Sequence, residues 1–284
     1  MFVHSVLALA TLIYSSQLKV WSGPLTYNSP MTFDFSKCHS LCTMSESSEN
    51  ADVAIINGQK YNAYTLNSNV YTVGFFWESN GNYPLIKSDA TWSYRPDSTF
   101  TSFAMIANKP LMKPVAFDLK KKAIAVFISN CRSAKRLTIL KQLMAEFEVH
   151  SFGRCFKNKA FHESKNAKTN IFSKYLFAYV PENNICKYYH SEKFYDAVSA
   201  RTVPIYLGAN TILDPPYLTS SFVDASNSER MISDIKFLMS NKKAYTTIID
   251  NQRKLTWANP TDCNWCLQLR KAYLQRTAEP QPQC

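Results

Sequence analysis

The sequence predicts an α/β fold, because strand-like and helix-like patterns alternate along its second half. Residues 123–128 form an apolar β run, apolar side chains at helical spacing follow over residues 136–147, and residues 149–152 form another short β run. The alternation recurs where a short helix pattern from Ser191 precedes a strand over residues 203–207. With 284 residues, of which 46% are hydrophobic, the chain can bury one large core or two smaller ones.

The charge of the chain points to an anionic partner. Its 32 lysines and arginines against 21 aspartates and glutamates give a formal charge of +11. Such an excess favours nucleic acid, a membrane surface or a nucleotide diphosphate without choosing among them. No basic helix, RNA-binding aromatic run or zinc knuckle accompanies the charge, so we expect no nucleic-acid partner.

The chain begins with an apolar stretch over residues 2–14. Its length suits the core of a signal peptide and is short for a membrane span, and no basic residue precedes it. We interpret residues 1–16 as an apolar N-terminal segment, either a signal or a truncated anchor. A buried first strand or a misplaced start is the alternative.

The first half of the chain reads as a series of short strands. Residues 18–25 predict a strand that ends in a turn, residues 51–56 a short buried strand, and residues 70–77 a longer β run. The last run leads directly to Glu78, at the strand end where ligands of α/β sheets meet catalytic groups. A glutamate in this position is otherwise an ordinary solvated loop residue.

The domain boundary is expected in the middle of the chain. Residues 107–118 contain two prolines between two patterned regions and predict a linker. We therefore expect a first domain over residues 17–112 and a second over residues 113–279. The second begins with a strand–helix–strand unit of nucleotide-binding type, although it lacks the G-x-G-x-x-G of dinucleotide sites. Residues 157–174 predict a loop, and residues 228–239 predict an amphipathic helix.

The helix that starts after Ser191 has the layout of a phosphate site. Ser191 is a good N-cap, Glu192 and Lys193 lie in the first turn, and a buried stripe follows. Unpaired amides at a helix start attract anions, and a lysine adds a full charge against a diphosphate. An ordinary strand-and-helix unit with a charged helix start is the alternative.

The eight cysteines favour an oxidising compartment. Cys38 and Cys42 could close a small loop or remain free buried thiols, and Cys263 and Cys266 form a C-x-x-C pair. The histidines do not complete a zinc spacing with them. A redox-active C-x-x-C normally opens a helix after a strand, which is missing here, so a structural disulfide is favoured.

The central motif carries a resemblance to a known family. The pattern E-N-N-x-C-x-x-Y-x-S-E-K-F-Y-x-A, followed by T-V-P-I-Y-L-G-A, resembles the signature of the α1,3-fucosyltransferases of glycosyltransferase family 10. The segment T-W-S-Y-R-P-D-S and the terminal C-x-x-C resemble other parts of that family, so that the likeness covers about residues 17–269. It implies a GT-B-type fold of two facing Rossmann-like domains. The C-terminal domain would bind the donor and the N-terminal domain the acceptor glycan.

The resemblance implies roles for four charged residues. Glu78 matches the general base of the family segment F-x-S-x-E-S-P, with Asn80 in place of the proline. Arg136 matches the arginine of S-N-x-x-x-x-x-R, which contacts the donor diphosphate. Lys193 would neutralise the departing GDP as well. Glu192 would hold fucose or ribose hydroxyls or stabilise developing positive charge.

Further residues are assigned by the same likeness. Asn183 and Tyr189 are implied as donor contacts, and Tyr94 and Arg95 as candidates facing the acceptor. Residues 150–155, H-S-F-G-R-C, resemble the family's V-D-x-Y-G-x-C turn. That turn makes Cys131 and Cys155 possible disulfide partners.

The implied activity is an inverting transfer of L-fucose from GDP-fucose to an N-acetylglucosamine hydroxyl of a glycoprotein glycan, such as an N-glycan, in α1,3 linkage. No D-x-D motif occurs, so no obligatory metal is expected. The family implies a Golgi membrane enzyme with a lumenal catalytic domain, if an anchor is present. Departures from the pattern, including the glycine before V-P that is replaced around Arg201–Thr202, leave a catalytically inactive glycan- or nucleotide-binding relative as the alternative.

Overall fold

The computed structural model describes two compact α/β units. The first contains the described residues up to 101 together with the C-terminal helix, and the second contains the described residues from 110 to 254. The described residues are 17–23, 38, 40–57, 66–76, 88–95, 98–101, 110–164, 166–209, 221–254 and 263–275.

The first unit is built on a sheet of six parallel strands in the order β2-β1-β3-β4-β5-β6. The strands are β1 (Leu18–Ser22), β2 (Cys42–Met44), β3 (Val53–Asn57), β4 (Tyr71–Phe75), β5 (Ala90–Ser93) and β6 (Phe100–Thr101). The strands predicted for the first half are therefore confirmed as β1, β3 and β4. Strand β5 overlaps the start of the T-W-S-Y-R-P-D-S segment, and β6 follows that segment.

The C-terminal helix, Asn264–Gln275, packs against this first sheet rather than against the second. Its buried residues Trp265, Cys266 and Leu269 share one core cluster with β1, β3 and β4. The expected second domain ran to residue 279, whereas this helix groups with the first unit. A separate segment of sequence joins the first core because the helix carries an apolar face that the sheet covers.

Two disulfides fasten this helix to β2 and its approach. Cys38 pairs with Cys263, and Cys42 pairs with Cys266, with Cα atoms 5.3 and 6.1 Å apart. The local pairs expected from spacing, Cys38 with Cys42 and Cys263 with Cys266, are wrong. Cys263 and Cys266 are three residues apart at a helix start, so both side chains face the same way, toward Cys38 and toward Cys42 at the start of β2.

The second unit is built on five parallel strands in the order β11-β10-β9-β7-β8. The strands are β7 (Lys121–Val126), β8 (Val149–Ser151), β9 (Tyr175–Pro181), β10 (Val203–Leu207) and β11 (Val223–Asp224). The helices are α1 (Ala134–Glu146), α2 (Ala167–Phe172), α3 (Glu192–Ser199), α4 (Ser228–Ser240) and α5 (Lys242–Asn251), and the C-terminal helix of the first unit is α6.

Strands β9 and β10 form the centre of the second core. Every residue of both is buried, as expected for parallel strands that are covered on both faces. The helices predicted around 136–147, after Ser191 and over 228–239 are confirmed as α1, α3 and α4. The loop predicted over 157–174 is wrong in its last part, because Ala167–Phe172 forms α2.

The strand order places a switch point between β7 and β9. The chain runs from β7 to β8 on one side of it, then crosses to β9 on the other side. Loops that leave two such strands diverge at their carboxyl ends and open a crevice, where open α/β sheets bind ligands. The fold therefore predicts the place of a site in this unit.

The residue that follows the C-cap of helix α3 lies in the left-handed region. Arg201 has φ of 55°, and its N–H donates to the carbonyl of Val198. Glycine is favoured after a helix in this conformation, and a residue with a side chain costs about 1 kcal/mol there. The missing glycine noted in the sequence thus falls where the backbone calls for one.

Candidate active site

A cleft of about 490 Å³ opens in the second unit at the switch point. Residues 127–130, which follow β7, form one side, and Asn183, which follows β9, lies beside them. The first residues of α2 and α3 complete the wall. The cleft therefore lies where the strand order predicts a ligand.

Arg136 lies in the first turn of α1 and forms part of the cleft wall. Its side chain is buried, with Nη1 donating to Asn183 Oδ1 and Nη2 donating to the carbonyl of Asn130. The hydroxyl of Tyr179 donates to the carbonyl of Arg136 at 3.0 Å. These bonds fix a permanent cation between the ends of β7 and β9.

The start of α3 is fixed by a buried carboxylate. Glu182 Oε1 accepts from the Ser191 N–H at 2.8 Å, and Oε2 accepts from the Ser191 hydroxyl at 2.7 Å. The Ser191 oxygen in turn accepts from the backbone N–H of Lys193, which makes Ser191 the N-cap. Burial raises the pKa of Glu182, although the Lys193 ammonium and the Ser191 bonds act in the opposite direction. The helix start is thereby held in one orientation.

Glu192, in the first turn of the same helix, is close to two ammonium groups. Its Oε1 is 3.3 Å from Lys193 Nζ and 3.9 Å from Lys168 Nζ. Lys168 Nζ also lies 2.9 Å from Oδ2 of the buried Asp196. Burial alone would raise the pKa of Glu192, but the two ammonium groups hold it below its usual value. The cleft thus presents an ionised carboxylate flanked by cations.

Aromatic rings form the apolar part of the wall. Phe127 and Phe161 both line the cleft and contact each other edge to face, with ring centroids 4.9 Å apart. Phe127 also stacks on Phe152 and meets Phe172 edge to face. Rigid rings beside cations suit a ligand with one flat apolar part and one anionic part.

The structure brings together four of the residues predicted to bind the donor. Arg136, Asn183, Glu192 and Lys193 all line the cleft. Tyr189 does not, because its side chain is 1% exposed and packs in the interior.

The remaining predicted residues lie elsewhere. Tyr94 and Arg95 follow β5 in the first unit, where Tyr94 is buried and Arg95 is half-buried. Glu78 lies outside the described residues.

Sequence reasoning missed Lys168 and Asp196. Lys168 was hidden by the loop prediction for residues 157–174, whereas it lies in α2. Asp196 follows Glu192 by four positions on α3, and that spacing puts both carboxylates on one face of the helix. The helical spacing was the signal that could have revealed Asp196.

The disulfide suggested between Cys131 and Cys155 is present and supports the cleft. Cys131 follows Asn130, the residue whose carbonyl binds Arg136. The Cys155 N–H donates to the carbonyl of Ile128, and Arg154 Nε donates to that of Ser129, each at 2.9 Å. The loop after β7 is therefore fastened covalently and by hydrogen bonds. Cys186 is disulfide-bonded as well.

His190, next to the N-cap, makes the stability of the protein sensitive to acid. It is 1% exposed, its Nδ1 lies 2.8 Å from the Tyr206 hydroxyl, and burial lowers its pKa to about 3. In the unfolded chain a histidine has a pKa of about 6.5. Between about pH 6.5 and pH 3 the unfolded chain therefore binds a proton at His190 that the folded chain does not bind, so the free energy of unfolding falls as the pH drops through this range. Between pH 7 and 4.5 we expect the free energy of unfolding to fall by about 2 to 3 kcal/mol more for the wild type than for His190→Gln. Urea unfolding of both proteins at the two pH values measures this difference, and equal losses would contradict it.

Comparisons with known proteins identify the family to which the sequence is similar. Residues 117–280 match the family model described as glycosyltransferase family 10 (fucosyltransferase), C-terminal part. The α-(1,3)-fucosyltransferase C of Drosophila melanogaster is 29% identical over 206 residues, which are 65% of this chain and 47% of that protein. The GDP-fucose protein O-fucosyltransferase 3 of Homo sapiens is 29% identical over 158 residues, which are 48% of this chain and 33% of that protein. The chain thus spans less than half of the length of these curated relatives.

Solved structures show the same fold. The crystal structure of an α1,3-fucosyltransferase with GDP superposes with a TM-score of 0.66 at 16% identity, covering 93% of each chain. The structure of an α1,3-fucosyltransferase with GDP-fucose gives 0.64 at 17% identity, covering 94% of this chain and 91% of that one. The expected α/β fold of GT-B type is confirmed. Among the described residues, no helix combines the length and the hydropathy that crossing a bilayer requires.

Proposed function

This chain belongs to glycosyltransferase family 10, the fucosyltransferases, and on that premise we propose that it transfers L-fucose from GDP-fucose to an N-acetylglucosamine hydroxyl of a glycoprotein glycan, forming an α1,3 linkage. The observation that carries the proposal is the convergence of Arg136, Glu192 and Lys193 on one cleft at the switch point of the second sheet. The runner-up is a relative of the same fold that binds glycan or nucleotide without transfer.

The cleft has the chemistry that a GDP leaving group requires. In an inverting transfer the acceptor oxygen attacks C1 of fucose, the bond from C1 to the diphosphate oxygen breaks, and negative charge develops on GDP. Arg136, whose guanidinium is already oriented by two hydrogen bonds, and Lys193 would stabilise that charge. Asn183 would act by holding Arg136. No obligatory metal is proposed, because these cations and the start of α3 supply the positive charge.

The fucose ring would meet Glu192. An ionised carboxylate accepts hydrogen bonds from sugar hydroxyls and stabilises positive charge that develops at C1. We propose Glu78 as the base that takes the proton of the acceptor hydroxyl, on the strength of its sequence context. Tyr94 and Arg95 are proposed on the acceptor side. Tyr189 would act through packing beneath the helix start, since its side chain is buried.

The disulfides indicate a protein of the secretory pathway, because such bonds form and persist in oxidising compartments. Within that pathway we propose a lumenal position at the Golgi membrane, where glycoprotein glycans are available as acceptors.

The proposal is tested by transfer of labelled fucose from GDP-fucose to a panel of N-glycan cores and N-acetyllactosamine acceptors, with and without EDTA. We expect transfer that EDTA does not abolish. Replacement of Glu78 by glutamine is expected to lower kcat by about 100-fold while GDP binding stays unchanged, because the base acts only on the acceptor proton. Glu229→Gln on α4 is the matched control and should leave kcat unchanged.

A folded wild type that binds GDP and transfers no fucose to any acceptor would overturn the proposal in favour of a binding protein of the same fold. Transfer that Glu78→Gln leaves intact would overturn only the assignment of the base.

A further inference from the structure

Five charged side chains of alternating sign form a row that starts at the buried Glu182 and continues along the cleft wall. Glu182 Oε2 is 3.9 Å from Lys193 Nζ, which is 3.3 Å from Glu192 Oε1. The row continues over 3.9 Å to Lys168 Nζ and over 2.9 Å to Asp196 Oδ2. Glu192, Lys193 and Asp196 belong to α3. Glu182 follows β9, and Lys168 comes from α2.

The two lysines of the row are held differently. Lys193 Nζ donates to the Ser191 hydroxyl at 2.8 Å and lies in the first turn of α3, where a bound diphosphate would attract it. Lys168 is held from behind by Asp196, whose carboxylate is 2% exposed. Lys193 can therefore contact a ligand bound at the helix start, whereas the ion pair with Asp196 keeps Lys168 in place.

The bound donor would change the charges around Glu192. A diphosphate brings about two negative charges toward the helix start and shares the Lys193 ammonium with Glu192. The Glu192 carboxylate would then be repelled by the phosphates and less well compensated on that side. A second cation that is not drawn to the diphosphate would help to keep the carboxylate in the same position.

Building on the proposed function, we infer that Lys168 is a positioning residue, anchored by Asp196, which holds the Glu192 carboxylate toward the donor sugar while Lys193 neutralises the diphosphate. Lys168 lines the cleft and its side chain is about one-third exposed, so it is accessible to the donor site without being free in solvent. Within the described residues, Lys168 and Lys193 are the two lysines whose ammonium groups lie within 4 Å of the Glu192 carboxylate.

The charged groups near Glu192 determine how the removal of Lys168 should change the electrostatic environment of the Glu192 carboxylate. Lys193 and Asp196 come from its own helix, Lys168 from α2, and Glu182 from the end of β9. Arg136 and Glu163 line the same cleft. Without Lys168, Glu192 would face two carboxylates of the row with the single ammonium of Lys193.

Replacement of Lys168 by methionine, which keeps most of the chain length and removes the charge, tests the inference. We expect kcat for fucose transfer to fall about tenfold, KM for GDP-fucose to change less than threefold, and the acidic limb of the kcat profile to move to higher pH. Lys168→Arg should restore most of kcat. Lys242→Met, which removes an exposed lysine paired with Asp118, is the matched control and should change neither constant.

A fall in affinity for GDP with kcat unchanged would overturn the inference, because Lys168 would then bind phosphate directly. An unchanged kcat and an unchanged pH profile would overturn it as well. Thermal unfolding of each variant shows whether it is folded, and the arginine variant keeps the test decisive if the methionine variant is not.

A second measurement separates this inference from the proposed function. The Glu192 carboxyl can be titrated by 13C NMR in labelled protein, with its resonance assigned by its loss in Glu192→Gln. We expect the midpoint to rise in Lys168→Met and to stay near the wild-type value in Lys168→Arg and Lys242→Met. If the wild type transfers no fucose, the proposed function fails, and an unchanged midpoint in Lys168→Met would independently overturn the role of Lys168.

Discussion

Replacement of Arg136 by methionine is expected to lower kcat/KM for GDP-fucose by about 1,000-fold, the range in which arginines that meet transferring phosphate charge act. The guanidinium is already fixed by Asn183 and by the carbonyl of Asn130, so no reorganisation is needed when charge develops on GDP. Methionine keeps much of the volume and removes the charge. Initial rates at varied GDP-fucose, together with calorimetric titration of GDP, measure the effect.

Two further variants decide whether the loss arises from the site. Arg136→Lys keeps the charge without the planar fork and should fall between the wild type and Arg136→Met. Arg154→Met removes an exposed arginine that binds the same loop through the carbonyl of Ser129 but does not line the cleft, and it should change kcat/KM less than threefold. A comparable loss in Arg154→Met would assign the effect to the loop instead of to the cation.

The parts of this site that follow local rules were predictable from sequence. Ser191 at the helix start, the buried run of β10 and the arginine in the first turn of α1 each carry a short-range signal. Their convergence follows from the order of strands and helices, because residues after parallel strands and at helix starts meet at one edge of a sheet. Arg136, Asn183, Glu192 and Lys193 therefore lie together as expected.

The loop prediction over residues 157–174 failed because the helix inside it is short and carries no signal in the sequence. Helix α2 has only six residues, and its N-cap, Asn166, makes no side-chain capping bond, so neither periodicity nor a cap marks it. The Lys168–Asp196 pair depends on that helix and was hidden with it.

The disulfide pairing was unpredictable for a different reason. Cysteine spacing says only which thiols are close along the chain, and the partners of Cys38 and Cys42 are 225 and 224 residues away. They meet because α6 returns to the first sheet, a contact between the two ends of the described chain that no local pattern contains.

The two parallel bridges of the first unit are expected to stabilise it in a strongly coupled way. Either bridge alone closes the same long loop, so loss of one pair, as in Cys38→Ala/Cys263→Ala or Cys42→Ala/Cys266→Ala, should lower the free energy of unfolding by only about 2 kcal/mol. Loss of the second pair then opens a loop of more than 200 residues and should cost about 5 kcal/mol more.

Urea unfolding followed by tryptophan fluorescence, with Trp257 of the second unit replaced by phenylalanine in every variant, measures this coupling, because Trp21, Trp92 and Trp265 lie in the first unit. Cys131→Ala/Cys155→Ala is the matched control, since this bridge spans 24 residues in the other unit and should leave the transition of the first unit in place. Two single losses that sum to the double loss would contradict loop closure as the source of the stability. If the variant without both bridges loses much more free energy of unfolding than the two single losses together, the covalent closure of the chain is the main reason that α6 packs on the first sheet. Either bridge is then sufficient for this closure.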